Sequence, residues 1–179
     1  MKGILIFVVI VFFNTTIKAT TITDSIPVDA KDVSSPEAIV AAVYDVISGP
    51  AGQKRNWDRM RTLFVPEARM IPTGKRPTGE STRRVLSVEE YITNSGPFLE
   101  KDGFFEKEIG NKTEQFGNIV HVFSTYESKK ALVDEKPFMR GINSFQLWYD
   151  GKRWWVITIL WQSESKDMPI PEKYISKKS

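Results

Sequence analysis

The chain of 179 residues contains no cysteine and a single histidine. Without cysteine there can be no disulfide, no thiolate metal site and no lipid-modified cysteine at an export site. One histidine excludes a multi-histidine metal centre, and no other metal or cofactor motif is present, so none is expected. Low-complexity tracts and internal repeats are absent. There is no apolar run of the ~20 residues needed to span a bilayer. The longest, Gly3 to Phe13, has eleven. No strong excess of one charge exists either. The formal net charge is +3, with 25 basic and 22 acidic residues.

The opening "MKGILIFVVIVFFNTTIKAT" has Lys2, a short apolar run and small or apolar residues at Ile17 and Ala19. This is the pattern of an export signal spanning 1–19. Its removal takes Lys2 and Lys18 with it and leaves the charge nearly balanced, so no nucleic-acid footprint remains. The expectation is an exported protein, periplasmic or extracellular, with no membrane association once the signal is gone. Residues 20–34 read as a polar linker, 35–166 as one domain, and 167–179 as a flexible basic tail.

Within the domain, Ser35 suits a helix N-cap, with Pro36 and Glu37 in the first turn. Ile39, Val40, Val43, Val46 and Ile47 form an apolar stripe at helical spacing, ended by Gly49 and Pro50. A second helix is expected over "NWDRMRTLFVPEA", then a short strand "ARMIPTG" and a polar loop over 75–84. Ser87 and Glu90 form a capping box for a third helix, expected to break or kink at Ser95-Gly96-Pro97. From Gly103 the apolar period becomes two, with Asp150-Gly151 turning the last hairpin. Segregated helices and antiparallel strands predict an α+β fold. Simple alternation puts Trp155, Ile157, Ile159 and Trp161 on one face of the last strand, and Trp154, Val156, Thr158 and Leu160 on the other. Both faces are aromatic, so one must meet a ligand or another subunit.

The stretches "WDRMRTLFVPEARMIPTG", "GNIVHVFSTYES" and "GINSFQLWYDGKRWWVITILWQSE" resemble the nuclear transport factor 2-like superfamily, in its SnoaL-like branch. The resemblance implies a cone-shaped, cystatin-like fold. In it, three N-terminal helices pack on a strongly bent antiparallel sheet around a pocket. It also implies a likeness to small-molecule-binding members and frequent homodimerisation. In isomerase-like members a base aspartate precedes a Pro-x-Gly in the first strand. Here that position is Ile71, and the penultimate-strand acid falls near Ser144 or Phe145. That machinery is therefore not expected.

Three readings remain open: an exported small-molecule-binding domain with an apolar pocket, a homodimerising interaction module, and an acid/base enzyme. For the last, His121 could act as a base oriented by Glu106 or Glu108 on a neighbouring strand. Its alternative is a wall or interface histidine. Glu106 and Glu108 share a strand face by period two and could do acid/base work if it lines the pocket, while "EKE" reads for at least one of them as solvent face. Trp57, Arg69, Tyr126, Gln146 and Trp161 are candidate ligand-binding residues, and Arg140 is another polar group among apolar neighbours. The candidate partners are a small apolar ligand and a second copy of the chain. Asn111-Lys112-Thr113 is a glycosylation sequon, meaningful only in a eukaryotic secretory pathway.

Overall fold

A computed structural model describes residues 26–175. The export-signal segment and the first part of the linker, residues 20–25, lie outside the described residues. Among the described residues no helix is long and apolar enough to cross a membrane.

The first helix, α1 (Pro36–Ile47), starts where the cap residue sits. The Ser35 hydroxyl accepts from Ala38 N at 3.1 Å. The linker end is packed rather than free. Val33 is buried, its carbonyl accepts from Trp154 N, and Asp32 pairs with Arg59 at 2.7 Å.

Helix α2 (Trp57–Leu63) is shorter than expected, because the chain turns extended at Phe64. Pro66 disfavours helical geometry at Val65, which precedes it, so the helix cannot run on. Strand β1 (Phe64–Lys75) takes over, and β2 (Ser81–Arg83) pairs back on it from within the expected polar loop.

Helix α3 (Val88–Asp102) has the capping box, with Ser87 and Glu90 bonded reciprocally. It does not break at Gly96-Pro97. Glu100, one turn beyond, is held by Trp57 Nε1 at 3.0 Å, Arg55 N at 3.1 Å and Lys54 Nζ at 2.9 Å. Gly96 lies under the Trp57 ring, where a Cβ would come within 3.0 Å.

Strands β3 (Phe105–Phe116), β4 (Ile119–Lys129), β5 (Met139–Tyr149) and β6 (Trp154–Ser163) form an antiparallel meander. The sheet order is β2-β1-β6-β5-β4-β3. The expectation of a wholly antiparallel sheet is corrected at one pair, since β1 and β6 run parallel. The meander brings its last strand beside β1 in the same direction, and the sheet is mixed.

Two bulges set which side chains point inward. On β3, Glu108 pairs with Tyr126 and Gly110 with Thr125, leaving Ile109 unpaired. On β6, Leu147 of β5 opposes Val156 and Gln146 opposes Thr158, leaving Ile157 unpaired. An extra residue shifts the alternation by one. The strict faces expected for β6 therefore do not hold. Trp154 and Val156 point inward before the bulge, and Ile159 and Trp161 after it, while Leu160 is exposed on the outer side.

The segment after β6, expected as a free tail from 167, lies on the outer sheet face at least to Ile175. Ile170 is buried, Thr125 Oγ1 donates to Tyr174 O at 2.6 Å, and the Phe123 and Tyr174 rings meet at 5.1 Å. Gly110 permits this approach, since a Cβ there would stand 2.6 Å from Tyr174 O.

Arg55 ties the helical layer together. Its guanidinium is buried and donates to five backbone carbonyls: Ile47, Pro50, Gln53, Gly49 and Leu99. Those carbonyls end α1, fill the loop after it and belong to α3. Arg55→Met keeps the stem and removes the donors. It should lower unfolding free energy by at least ~3 kcal/mol, since several buried acceptors lose charged donors at ~1–3 kcal/mol each. Denaturant unfolding of the two proteins checks this.

Candidate functional site

The bent sheet and α1 enclose a polar network. Glu106 and Glu108 share one face of β3, as their period-two spacing predicts, and that face is the inward one rather than the solvent side. Ser128 Oγ donates to Glu106 Oε2 at 2.7 Å, and Asn143 Nδ2 donates to Glu106 Oε1 at 3.3 Å. The same Asn143 nitrogen donates to Tyr44 Oη at 3.1 Å. Ser124 Oγ donates to Glu108 Oε2 at 2.6 Å, and Asn111 Nδ2 to Glu108 Oε1 at 2.5 Å. With the Ser124 hydrogen committed to Glu108, the 2.7 Å bond between Tyr44 Oη and Ser124 Oγ has Tyr44 as donor. The network thus has one sense, with every donor directed ultimately at a carboxylate.

Glu106 borders an interior cavity of about 210 Å³. Its walls include the rings of Tyr44, Tyr91, Phe104, Tyr126, Phe145 and Trp161. Among the described residues no lysine, arginine or histidine lines it. Tyr44 and Glu106 also border an outer cleft of about 390 Å³, where Asp45, Lys107, Glu127 and Lys129 gather. Lys107 pairs with Glu127 at 3.0 Å, and Lys129 Nζ donates to Asp134 O at 2.6 Å.

Burial pushes the Glu106 carboxyl up to about 7, against the opposing pull of its bonds from Ser128 and Asn143. Desolvation disfavours the charged form, and no nearby cation restores it. Tyr126 is pushed up to about 12, mainly by burial. Tyr44 and Tyr91 are raised as well, by burial first and then by the Glu106 charge, so both stay protonated.

The seven residues singled out from the sequence separate into three groups. Glu106, Tyr126 and Trp161 meet at the interior cavity. His121 and Gln146 face each other across β4 and β5 on the outer side of the sheet. There His121 Nε2 lies 2.9 Å from Ser144 Oγ and Gln146 is exposed. The expected His121–Glu106 pair is therefore not formed. Glu106 registers with Ser128, seven residues or roughly 23 Å along β4 from His121, and on the opposite face. Trp57 packs α2 on α3, and Arg69 is exposed, bonding the carbonyls of Glu67 and Ala68. Arg140 pairs with Glu164 at 2.8 Å.

Tyr44, Tyr91 and Asn143 are the site residues missed as such. Tyr44 lies four residues after Val40 and three before Ile47, inside the apolar stripe of α1. A hydroxyl carried into an apolar stripe needs a partner, and that was the available signal. Asn143 alternates with Phe145 and Leu147 and so shares their buried face. It also occupies the inward position near which the isomerase-type acid was sought, with an amide in place of a carboxyl. Ile71, at the base position of such enzymes, offers no titratable group.

No family model and no curated protein matches the chain. Solved structures do. A protein of Caulobacter vibrioides with a cystatin-like fold aligns at TM-score 0.53 and 10% identity, over 75% of this chain and 90% of that one. A nuclear transport factor 2-like superfamily protein of Salmonella enterica aligns at 0.51 and 12%, over 71% and 87%. The protein LinA aligns at 0.55 and 9%, over 81% and 93%. The chain therefore has the nuclear transport factor 2-like, cystatin-like fold. At these identities the likeness extends to the fold alone.

The Glu106 carboxyl makes stability depend on pH. Its folded value of about 7 lies above the ordinary 4.5, so the folded state holds the proton more tightly than the unfolded chain. This contribution is complete below about pH 4.5 and is lost as pH rises through 7. The loss is on the order of 3 kcal/mol at ~1.4 kcal/mol per pKa unit. Glu106→Gln removes the titration. Urea unfolding at pH 5 and pH 8 should show wild type losing stability relative to Glu106→Gln across that interval.

Proposed function

We propose that the chain binds a small, largely apolar molecule in the interior cavity, with Glu106, Asn143 and the tyrosine hydroxyls fixing its polar end. The ring-lined cavity of about 210 Å³, with a single carboxyl at its edge, carries this reading. Ligand sites are mostly apolar hollows with a few convergent polar groups and a perturbed acid. Glu106, titrating near neutral pH, can also exchange a proton with what it binds. Acid/base chemistry would then rest on Glu106, with no part for His121.

A homodimerising module is the second reading. Ile119, Trp148 and Leu160 leave apolar surface exposed beside the C-terminal segment. That segment already covers part of the outer face, so less of it is free for a partner than the aromatic alternation suggests. Export remains part of the proposal. Expression in a secreting host should yield a mature protein starting at Thr20, read by intact mass.

Met139 lines the cavity and is only partly buried, so a larger side chain can enter the space without replacing core. Met139→Trp should fold, yet lose any small molecule that wild type retains in native mass spectrometry. Equal retention by the filled variant would place the ligand elsewhere.

A further inference from the structure

We infer that the molecule held in this cavity is a small organic amine, bound as its ammonium between the Glu106 carboxylate and the surrounding aromatic rings. This rests on the cavity being a ligand site, and it goes further by naming the head group.

The charge arrangement motivates it. Glu106 is served by two donors, Ser128 Oγ and Asn143 Nδ2, one on each oxygen. That is the pattern of an accepting, ionised carboxylate. The groups facing it are Tyr44 from α1, Tyr91 from α3, Tyr126 and Ser128 from β4, and Asn143 from β5, none of them cationic. On its own strand, Glu108 lies two residues on and adds negative charge. Lys107 and Lys129 stand only at the outer cleft, bonded to Glu127 and to the Asp134 carbonyl. Among the described residues, the negative charge at this cavity therefore has no counter-ion.

The walls fit the same occupant. Six aromatic rings border the space, and ring faces attract cations, more strongly when water is excluded. Lone pairs are available too. The Asn143 nitrogen is fixed toward Glu106 and Tyr44, which leaves Oδ1 as an acceptor that no side-chain donor reaches among the described residues. The Tyr91 hydroxyl borders the cavity, nine-tenths buried as a residue, and makes no hydrogen bond among the described residues. An ammonium with three N–H groups could use all three acceptors. A carboxylate ligand would meet Glu106 with like charge, and a neutral ligand would leave it unbalanced. The volume corresponds to about seven waters at ~30 Å³ each, which limits the ligand to one small ring or a short branched chain.

Isothermal titration of the folded chain with benzylamine, benzyl alcohol and benzoate tests this, because the three share a ring and differ in head group. At pH 8 benzylamine should bind at least about tenfold tighter than benzyl alcohol, and benzoate weakest. The ratio of amine to alcohol affinity should fall toward one in Glu106→Gln and be largely kept in Glu106→Asp. It should also shrink at pH 5.5, where Glu106 is protonated. Benzyl alcohol binding wild type as tightly as benzylamine would overturn the amine assignment while leaving the cavity a ligand site. Benzylamine binding that survives Met139→Trp would put the amine outside the cavity and overturn it as well. If no probe binds, the assignment falls. The cavity reading falls with it only if Met139→Trp also retains whatever wild type retains.

Discussion

The cone depends on two interruptions in the ladder of sheet hydrogen bonds. Each places one unpaired residue, Ile109 on β3 and Ile157 on β6, opposite a continuous partner. A bulge bends its strand and reverses which alternate side chains face the core. On β3 the inward set changes from Glu106 and Glu108 to Asn111 and Thr113. On β6 it changes from Trp154 and Val156 to Ile159 and Trp161. Without the second interruption Trp161 would point to the outer face and Leu160 inward, and the cavity would lose a ring that meets Tyr91 edge-on at 6.2 Å. The shape of the hollow and the identity of its walls thus share one cause.

What could be read in advance follows from this. The helix starts were legible because capping is local: Ser35 and Ser87 announce α1 and α3 within three residues. That Glu106 and Glu108 share a face was legible because both precede the shift on β3, but alternation alone did not say that this face is the inward one. The β6 faces were not, since a bulge at Ile157 comes from pairing with β5 and leaves no glycine in the text to mark it. The bulge on β3 did leave one, at Gly110. His121 is parted from Glu106 for a simpler reason. Period two states that Val120 and Val122 are opposite to it, and both valines are core. Proximity in sequence to an acid-bearing strand said nothing of which face it took. The persistence of α3 through Gly96-Pro97 was hidden as well, because Trp57 and Glu100 that hold it there are 43 residues apart.

The polar network is where stability and chemistry oppose each other. Most buried polar groups here are satisfied, and among the described residues no fully buried side-chain nitrogen or oxygen lacks a partner. Hydrogen bonds alone, however, do not restore to a carboxylate what burial removes. The fold tolerates this at Glu106 by drawing on Ser128 and Asn143, and on a Tyr44 locked to Ser124. A neutral acceptor in that place would keep the bonds from Ser128 and Asn143 without the cost of a buried charge, so the acid is a departure from what folding alone requires. Such departures are where function is to be sought.

The parallel pairing of β1 with β6 has a consequence in time. Phe64 registers with Val156, 92 positions later in the chain. At ~5–20 residues per second, a ribosome takes roughly 5 to 18 s to deliver the partner after β1 has emerged. During that interval the inner edge of β1 has only β2 and the helices for company, and its unsatisfied amides and carbonyls are open to any extended segment nearby. The last strand made is thus the one that joins β1 to β5 in the open sheet, and assembly of the hollow waits on it. A nascent chain of this design would be most vulnerable to misassociation shortly before its synthesis reaches Trp154.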